Sequence, residues 1–178
     1  MKLVILDRDG VINEDSLDDI KTASEWRAIP GSLPAIAKLS QNGYRVVVAT
    51  NQSGIGKKNL DIIQLNEIHQ KLLDHLSQYG GNIDAFFYCP HDPKEKCECR
   101  KPKTGLLENI SKRLHVSLKG VPIVGDKKND IDAAVAVGAI PYLVRTGMGE
   151  DTLKNYDISK EARVFDSLAD VVDDLIQG

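Results

Sequence analysis

The sequence predicts an α/β fold, a doubly wound Rossmann-like parallel sheet. Short β-branched runs alternate with segments of helical periodicity, the pattern of strand–helix–strand units with right-handed crossovers. Most of the runs are continuously apolar rather than alternating, as in strands covered on both faces. Clusters of Asp, Asn, Ser and Gly follow the carboxyl ends of these runs, where open sheets of this kind hold their ligands.

The elements follow in order. Leu3–Leu6 reads as the first strand, with Asp7 and Asp9 directly after it. Trp26 and Arg27 fall in an early loop, and the sequence does not decide whether they help form a rim. Pro34 suits a first helical turn, followed by Ala35, Ile36 and Leu39 at helical spacing. Val46–Thr50 is the second strand and runs into Asn51-Gln52-Ser53-Gly54. Asp61 suits the cap of a long helix with Ile62, Leu65, Ile68, Leu72, Leu73 and Leu76 among its apolar positions. His69 and His75 lie in that helix and His115 near the end of the next; none is assigned a role. Ala85–Tyr88 is the third strand. Leu106, Ile110 and Leu114 mark another helix. Val121–Val124 is the fourth strand, ending at Gly125 and Asp126, and Ile131, Ala134 and Val135 mark a short helix. Tyr142–Val144 and a weaker Arg163–Phe165 complete the strands. A helix bearing Leu168, Val171, Val172, Leu175 and Ile176 ends the sequence.

Length and composition bound what the molecule can do. A chain of 178 residues fits one domain, so residues 1–178 are expected to form a single domain that buries a sizeable core without help from metals. The net charge of -3 gives no nucleic-acid footprint. No apolar run approaches the ~20 residues of a membrane span, and the apolar start is too short for a signal peptide, so a cytoplasmic location is expected. The odd number of cysteines, 3, leaves one over from any disulfide and favours a metal reading.

All three cysteines lie in one stretch, Cys89-Pro-His91-Asp-Pro-Lys-Glu-Lys-Cys97-Glu-Cys99. Cys89, His91, Cys97 and Cys99 make a Cys3His set, the closed shell preferred by structural Zn2+. Cys89 alone could be a core thiol, but Cys97 and Cys99 sit among charged residues, where no core thiol belongs. Arg100 and Lys101 follow directly and are suited to phosphate. Asp7 and Asp9, two apart on an extended strand end, point to one side. Asp126 adds a carboxylate from another strand end, and the set suits Mg2+, which keeps waters and binds phosphate oxygens. The alternative is that Asp7 and Asp9 cap a turn. Thr50-Asn51-Gln52-Ser53-Gly54 could form an anion-binding nest or an ordinary turn. Lys127 or Lys128 could neutralise phosphate, and Asp130 reads as an anchor for the loop.

Asp7-Arg8-Asp9-Gly10, Ala49-Thr50-Asn51-Gln52-Ser53-Gly54, Arg100-Lys101-Pro102 and Gly125-Asp126 with Asp130 together resemble the four motifs of the haloacid dehalogenase superfamily of phosphohydrolases. The Cys-Pro-His and Cys-Glu-Cys-Arg-Lys-Pro segments narrow the resemblance to two groups, the D-glycero-D-manno-heptose-1,7-bisphosphate 7-phosphatases and the histidinol-phosphate phosphatases. Asn51-Gln52-Ser53-Gly54-Ile55 and Leu143-Val-Arg-Thr-Gly147 look more like the heptose group. The following Gly56-Lys57-Lys58-Asn59-Leu60 departs from the usual Ala-Arg-Gly-aromatic continuation of that group. The resemblance implies a phosphatase with Asp7 as nucleophile, Asp9 as acid and base, and Ser53, Asn51 and Lys101 stabilising the transferring oxygens. Mg2+ would be held by Asp7, the Asp9 backbone carbonyl and Asp126. Substrate contacts would come from Asp15, Thr50, Asn51, Gln52, Ser53, Arg100, Lys101 and Lys127. The short segments after Asp9 and around the cysteines leave no room for a large cap domain. A monomer acting on a small phosphorylated sugar is expected, with no nucleic-acid or membrane partner. A zinc-binding interaction module without activity is the other class of function, and it leaves Asp7, Asp9 and Asp126 unexplained.

Overall fold

A computed structural model describes the chain from Met1 to Gly178. Six parallel strands form one sheet: β1 (Lys2–Leu6), β2 (Tyr44–Asn51), β3 (Ala85–Cys89), β4 (Pro122–Gly125), β5 (Ile140–Val144) and β6 (Arg163–Phe165). Their order is β3-β2-β1-β4-β5-β6. The chain winds outward from β1 in one direction, then returns to β4 on the other side of β1. The crevice between β1 and β4 is therefore the switch point of the sheet.

Alternate residues of β1 and β2 enter two different cores, as a period of two requires. Val4, Leu6, Val46 and Val48 join one core with α1 (Ser32–Gln41), α3 (Ile62–Ser77) and α7 (Leu168–Gln177). Leu3, Ile5, Val47 and Ala49 join the other with α4 (Gly105–Leu114) and α5 (Lys128–Ala136). This two-sided burial explains the continuously apolar runs. Asp61 caps α3 as its position predicts, accepting from Gln64 N–H while the Gln64 side chain accepts from Asp61 N–H. Ile62 and Val135, counted among apolar helix faces, are instead exposed at a helix start and on an outer face.

Two short helices complete the set, α2 (Ser53–Gly56) and α6 (Gly149–Asn155). Trp26 forms no rim. Its ring is buried in the larger core, edge-on to His75 and under the Lys71 ammonium, while Arg27 beside it is exposed. Between β3 and α4 lies only a loop with one 3-10 turn (Pro93–Glu95), so no cap domain covers the strand ends. No helix is long and apolar enough to cross a membrane.

Candidate active site

The carboxyl ends of β1, β2 and β4, together with the loop that follows β3, open onto a cleft of about 210 Å3 lined mainly by polar side chains. Asp7 leaves β1 with its N–H donating to the Val124 carbonyl at 2.9 Å, so the switch point itself sets it opposite β4. Its Oδ1 accepts from Arg8 N–H at 2.9 Å and lies 3.3 Å from Lys101 Nζ. Asp126 leaves β4 and is fully buried. Its Oδ2 accepts from Met148 N–H at 2.8 Å, whereas Oδ1 has no partner. Asp7, Asp126 and Asp130 bring carboxylate oxygens within 4.8 Å of one another.

Such crowding has an electrostatic consequence. Burial pushes the Asp7 carboxyl up to about 7; Lys101 opposes the rise, and Asp130 and Asp9 add to it. Burial, then Asp7 and Asp130, push Asp126 up to about 8. Carboxylates in this state take up either protons or a cation. The unpartnered Asp126 Oδ1 beside Asp7 fits a hard divalent ion with oxygen ligands.

Asp9 sits in a different environment. Burial alone would raise its carboxyl, but the Arg8 guanidinium and hydrogen bonds from Asn13, Arg8 and Gln52 hold it below the usual range. Oδ1 accepts from Arg8 Nε, Arg8 Nη2 and Asn13 Nδ2 at 2.9, 2.8 and 2.9 Å. Oδ2 accepts only from Gln52 Nε2, at 3.0 Å, and keeps a free lone pair. Gln52 also donates to Thr50 Oγ1 and does not line the cleft. Its place behind Asp9 makes it a support for that carboxylate rather than a wall residue.

Lys101 is 4% exposed. Its Nζ donates to Asp130 Oδ1 at 2.6 Å and to the Ala49 carbonyl at 2.8 Å. Burial would lower its pKa, but Asp130 and Asp7 raise it, so the ammonium stays charged. Asn51 grips the Lys101 backbone from both sides, Oδ1 accepting its N–H at 3.1 Å and Nδ2 donating to its carbonyl at 3.2 Å. The Asn51 amide is thus committed to holding Lys101. Ser53, Thr50 and Arg100 line the cleft, and Arg100 Nη1 is buried without a partner. Asp15 and Lys127 face each other at 3.2 Å across its mouth. Lys128 turns away to Asp132 and Glu161. Lys57 and Lys58 are exposed and take no part in the cleft.

Behind the cleft, Cys89, His91, Cys97 and Cys99 bring their donor atoms within 4.8 Å of one another. The sulfurs lie 3.0–3.7 Å apart and are not bridged, and His91 Nδ1 is 3.2 Å from Cys99 Sγ. Three thiol sulfurs and one imidazole nitrogen converging with no open position fit a structural tetrahedral ion.

The comparisons with known proteins agree with this geometry. The HAD-hydrolase-like family model matches residues 98–171. The D-glycero-beta-D-manno-heptose-1,7-bisphosphate 7-phosphatase of Bordetella bronchiseptica is 49% identical over 99% of each chain. The protein of the same name from Pseudomonas putida is 49% identical, over 99% of this chain and 100% of its own. A crystal structure of the D,D-heptose 1,7-bisphosphate phosphatase from B. bronchiseptica, complexed with magnesium and phosphate, superposes with a TM-score of 0.97 at 48% identity, covering 99% of both chains. The chain belongs to the haloacid dehalogenase-like phosphatases.

Sequence reasoning passed over some parts of this phosphatase's site. Ser16, Leu17, Asp19, Asn129 and Met148 also line the cleft. His69 is buried against Arg8, its Nε2 3.2 Å from Arg8 Nη1, and burial followed by the Arg8 charge lowers its pKa to about 3. A signal existed: His69 lies on the stripe of Leu65, Ile68, Leu72 and Leu76, and a polar group on a buried face requires a partner.

Two glycines make the Asp126 pocket possible. Gly10 and Gly147 have φ of +85° and +57°, and a Cβ added at either would overlap Asp126 Oδ2. The Gly147→Ala protein should stay folded by circular dichroism but need at least about tenfold more Mg2+ for half-activation, as loss of an outer support does in metal sites. An unchanged Mg2+ requirement would show that Asp126 tolerates displacement. Cys97→Ser should release the ion from the Cys3His set and reduce activity by up to ~100-fold through loosened geometry. Elemental analysis and activity of the same preparation check it; full activity without zinc would separate the loop from the site.

Proposed function

We propose that this phosphatase removes the 7-phosphate of D-glycero-D-manno-heptose 1,7-bisphosphate through an aspartyl-phosphate intermediate, with 1–178 acting as a single catalytic domain. The observation that carries the chemistry is the meeting at one switch point of Asp7, the unpartnered Asp126 Oδ1, and Lys101 Nζ at 3.3 Å from Asp7. The substrate reading is supported by the named relatives at 49% identity over essentially full length, which favour it over histidinol phosphate. Their printed substrate is the β anomer, which we carry over as the preferred form.

Asp7 is the nucleophile. Its Oδ1 is held by Arg8 N–H and Lys101, while Oδ2 accepts no hydrogen bond from the protein. As the bond from Asp7 to phosphorus forms, the bond to the sugar oxygen breaks, and Asp9 Oδ2 gives that oxygen a proton. The free protein favours Asp9 as carboxylate. The negative charge of an entering phosphate opposes this and favours the protonated acid. In the second step the carboxylate takes a proton from the water that splits the aspartyl phosphate. Lys101 and the Ser53 hydroxyl stabilise charge on the transferring oxygens. Asp7, Asp126 and the Asp9 carbonyl would hold Mg2+, which when bound neutralises further phosphoryl charge. Cys89, His91, Cys97 and Cys99 would hold Zn2+ as a structural ion. Arg100, with Nη1 unpartnered, supplies a cation for the rest of the substrate, the sugar 1-phosphate among it.

Asp7→Asn should bind Mg2+ and remain folded but lose turnover on both heptose bisphosphate and p-nitrophenyl phosphate. Phosphate release within about tenfold of the parent, read against the factors that covalent and general acid catalysis supply, would exclude Asp7 as nucleophile. For the substrate, kcat/KM should be highest for the β-heptose bisphosphate, then the α anomer, then histidinol phosphate. Arg100→Ala should reduce kcat/KM for the bisphosphate at least about tenfold, as loss of a charged hydrogen bond of ~1.5–3 kcal/mol implies. It should spare p-nitrophenyl phosphate. An unchanged ratio between the two would remove Arg100 from substrate recognition.

A further inference from the structure

We propose that His69, on the α3 face of the molecule, is a positioning residue for Asp9 and acts through Arg8. This rests on the reading of Asp9 as the acid and base. Arg8 has no solvent exposure and lies between the two. Its Nε and Nη2 both donate to the same oxygen, Asp9 Oδ1. That is not the usual fork, in which two N–H groups take two oxygens and fix both planes. A guanidinium held only on one oxygen can pivot about it.

The third nitrogen, Nη1, lies 3.2 Å from His69 Nε2. A guanidinium only donates, so the imidazole nitrogen accepts and the ring is neutral. This contact stops the pivot. The ring is itself fixed, stacked on Phe86 at 4.1 Å with planes 11° apart and carried on a helix anchored by Leu65, Ile68 and Leu72. With Arg8 held, Asp9 Oδ1 is pinned by Arg8 and Asn13, and Oδ2 is left with one donor, Gln52, and a free lone pair. Asp9 lines the cleft, and His69 does not. His69 therefore sets which Asp9 oxygen handles the proton without touching substrate.

The test is dependence on the leaving group in the first step, read as the single-turnover rate of phosphoenzyme formation, because the second step uses Asp9 as base with either substrate. An alkoxide needs the Asp9 proton to leave, whereas p-nitrophenolate leaves without it. His69→Leu should lower the rate of phosphoenzyme formation from heptose bisphosphate by about tenfold or more but change that from p-nitrophenyl phosphate by less than about threefold, the signature of a displaced general acid. His69→Gln, whose amide oxygen reaches the place of Nε2, should recover phosphoenzyme formation from heptose bisphosphate to within about threefold, and His69→Asn, one methylene shorter, should not. Asp9→Asn is the control and should show the same selectivity more strongly. If Asp9→Asn shows no selectivity, the reading of Asp9 itself fails. If Asp9→Asn is selective but the His69 variants lose both substrates equally, or lose neither, the His69 role is overturned. Should His69→Leu not fold, the Asn and Gln proteins decide: a selective loss in Asn alone supports the role, and equal behaviour defeats it.

Discussion

The site depends on one buried ammonium. Lys101 Nζ lies among the Asp7 and Asp130 carboxylates and the Ala49 carbonyl. Through it the end of β1, the end of β2, the loop after β3 and the start of α5 are joined at one point. Three carboxylates within reach of one another would repel if all were charged. A single fixed cation reduces that cost permanently, and the remaining deficit is what a divalent ion would meet. Removing one partner of such a buried cluster is costly, commonly ~3–5 kcal/mol, because the other charges stay buried and unpaired. Lys101 thus ties four parts of the chain together at the point where the cleft opens.

The sheet order explains why these groups meet. β1 and β4 are neighbours although most of the chain between them winds through β2 and β3. Asp7 and Asp126 are separated widely in sequence but leave adjacent strands at the switch point. Neither α1 nor α3 lines the cleft, and both serve to bury one face of the sheet. One side chain of α3 departs from that role. His69 meets the buried Arg8 guanidinium, so the packing helix also makes one polar contact, with the side chain that pairs with Asp9.

What could be read from the sequence follows from where the signal lies. All six strands were legible because two-sided burial writes itself as continuous apolar runs, as in Val46-Val47-Val48. The Asp7, Asp9 and Asp126 positions were legible because strand ends in this architecture carry the ligands. The helix Gly149–Asn155 was not, because only Leu153 in it is a large apolar residue and periodicity had nothing to register. The burial of Trp26 was not legible for a related reason: an isolated aromatic in an irregular segment carries no period, yet its size takes it into the core. The commitments of polar groups were also hidden. Asn51 reads as a free amide in a turn but is paired twice with the Lys101 backbone, a contact 50 residues apart in sequence.

That pairing bears on what the Cys3His set does. Arg100 and Lys101 are neighbours, and both follow Cys99 directly, but they are not held alike. Lys101 has its backbone fixed by Asn51 and its ammonium fixed by Asp130, Ala49 and Asp7. Arg100 has no side-chain partner for Nη1 and hangs between Cys99 and Lys101. Loosening the cysteine end of the loop leaves Lys101 with its own anchors and Arg100 with one fewer. An ion held in this loop would therefore act mainly on Arg100, and less on Lys101 beside Asp7. A soft, closed site suits that task, because it fixes geometry without competing for the oxygen ligands at the switch point.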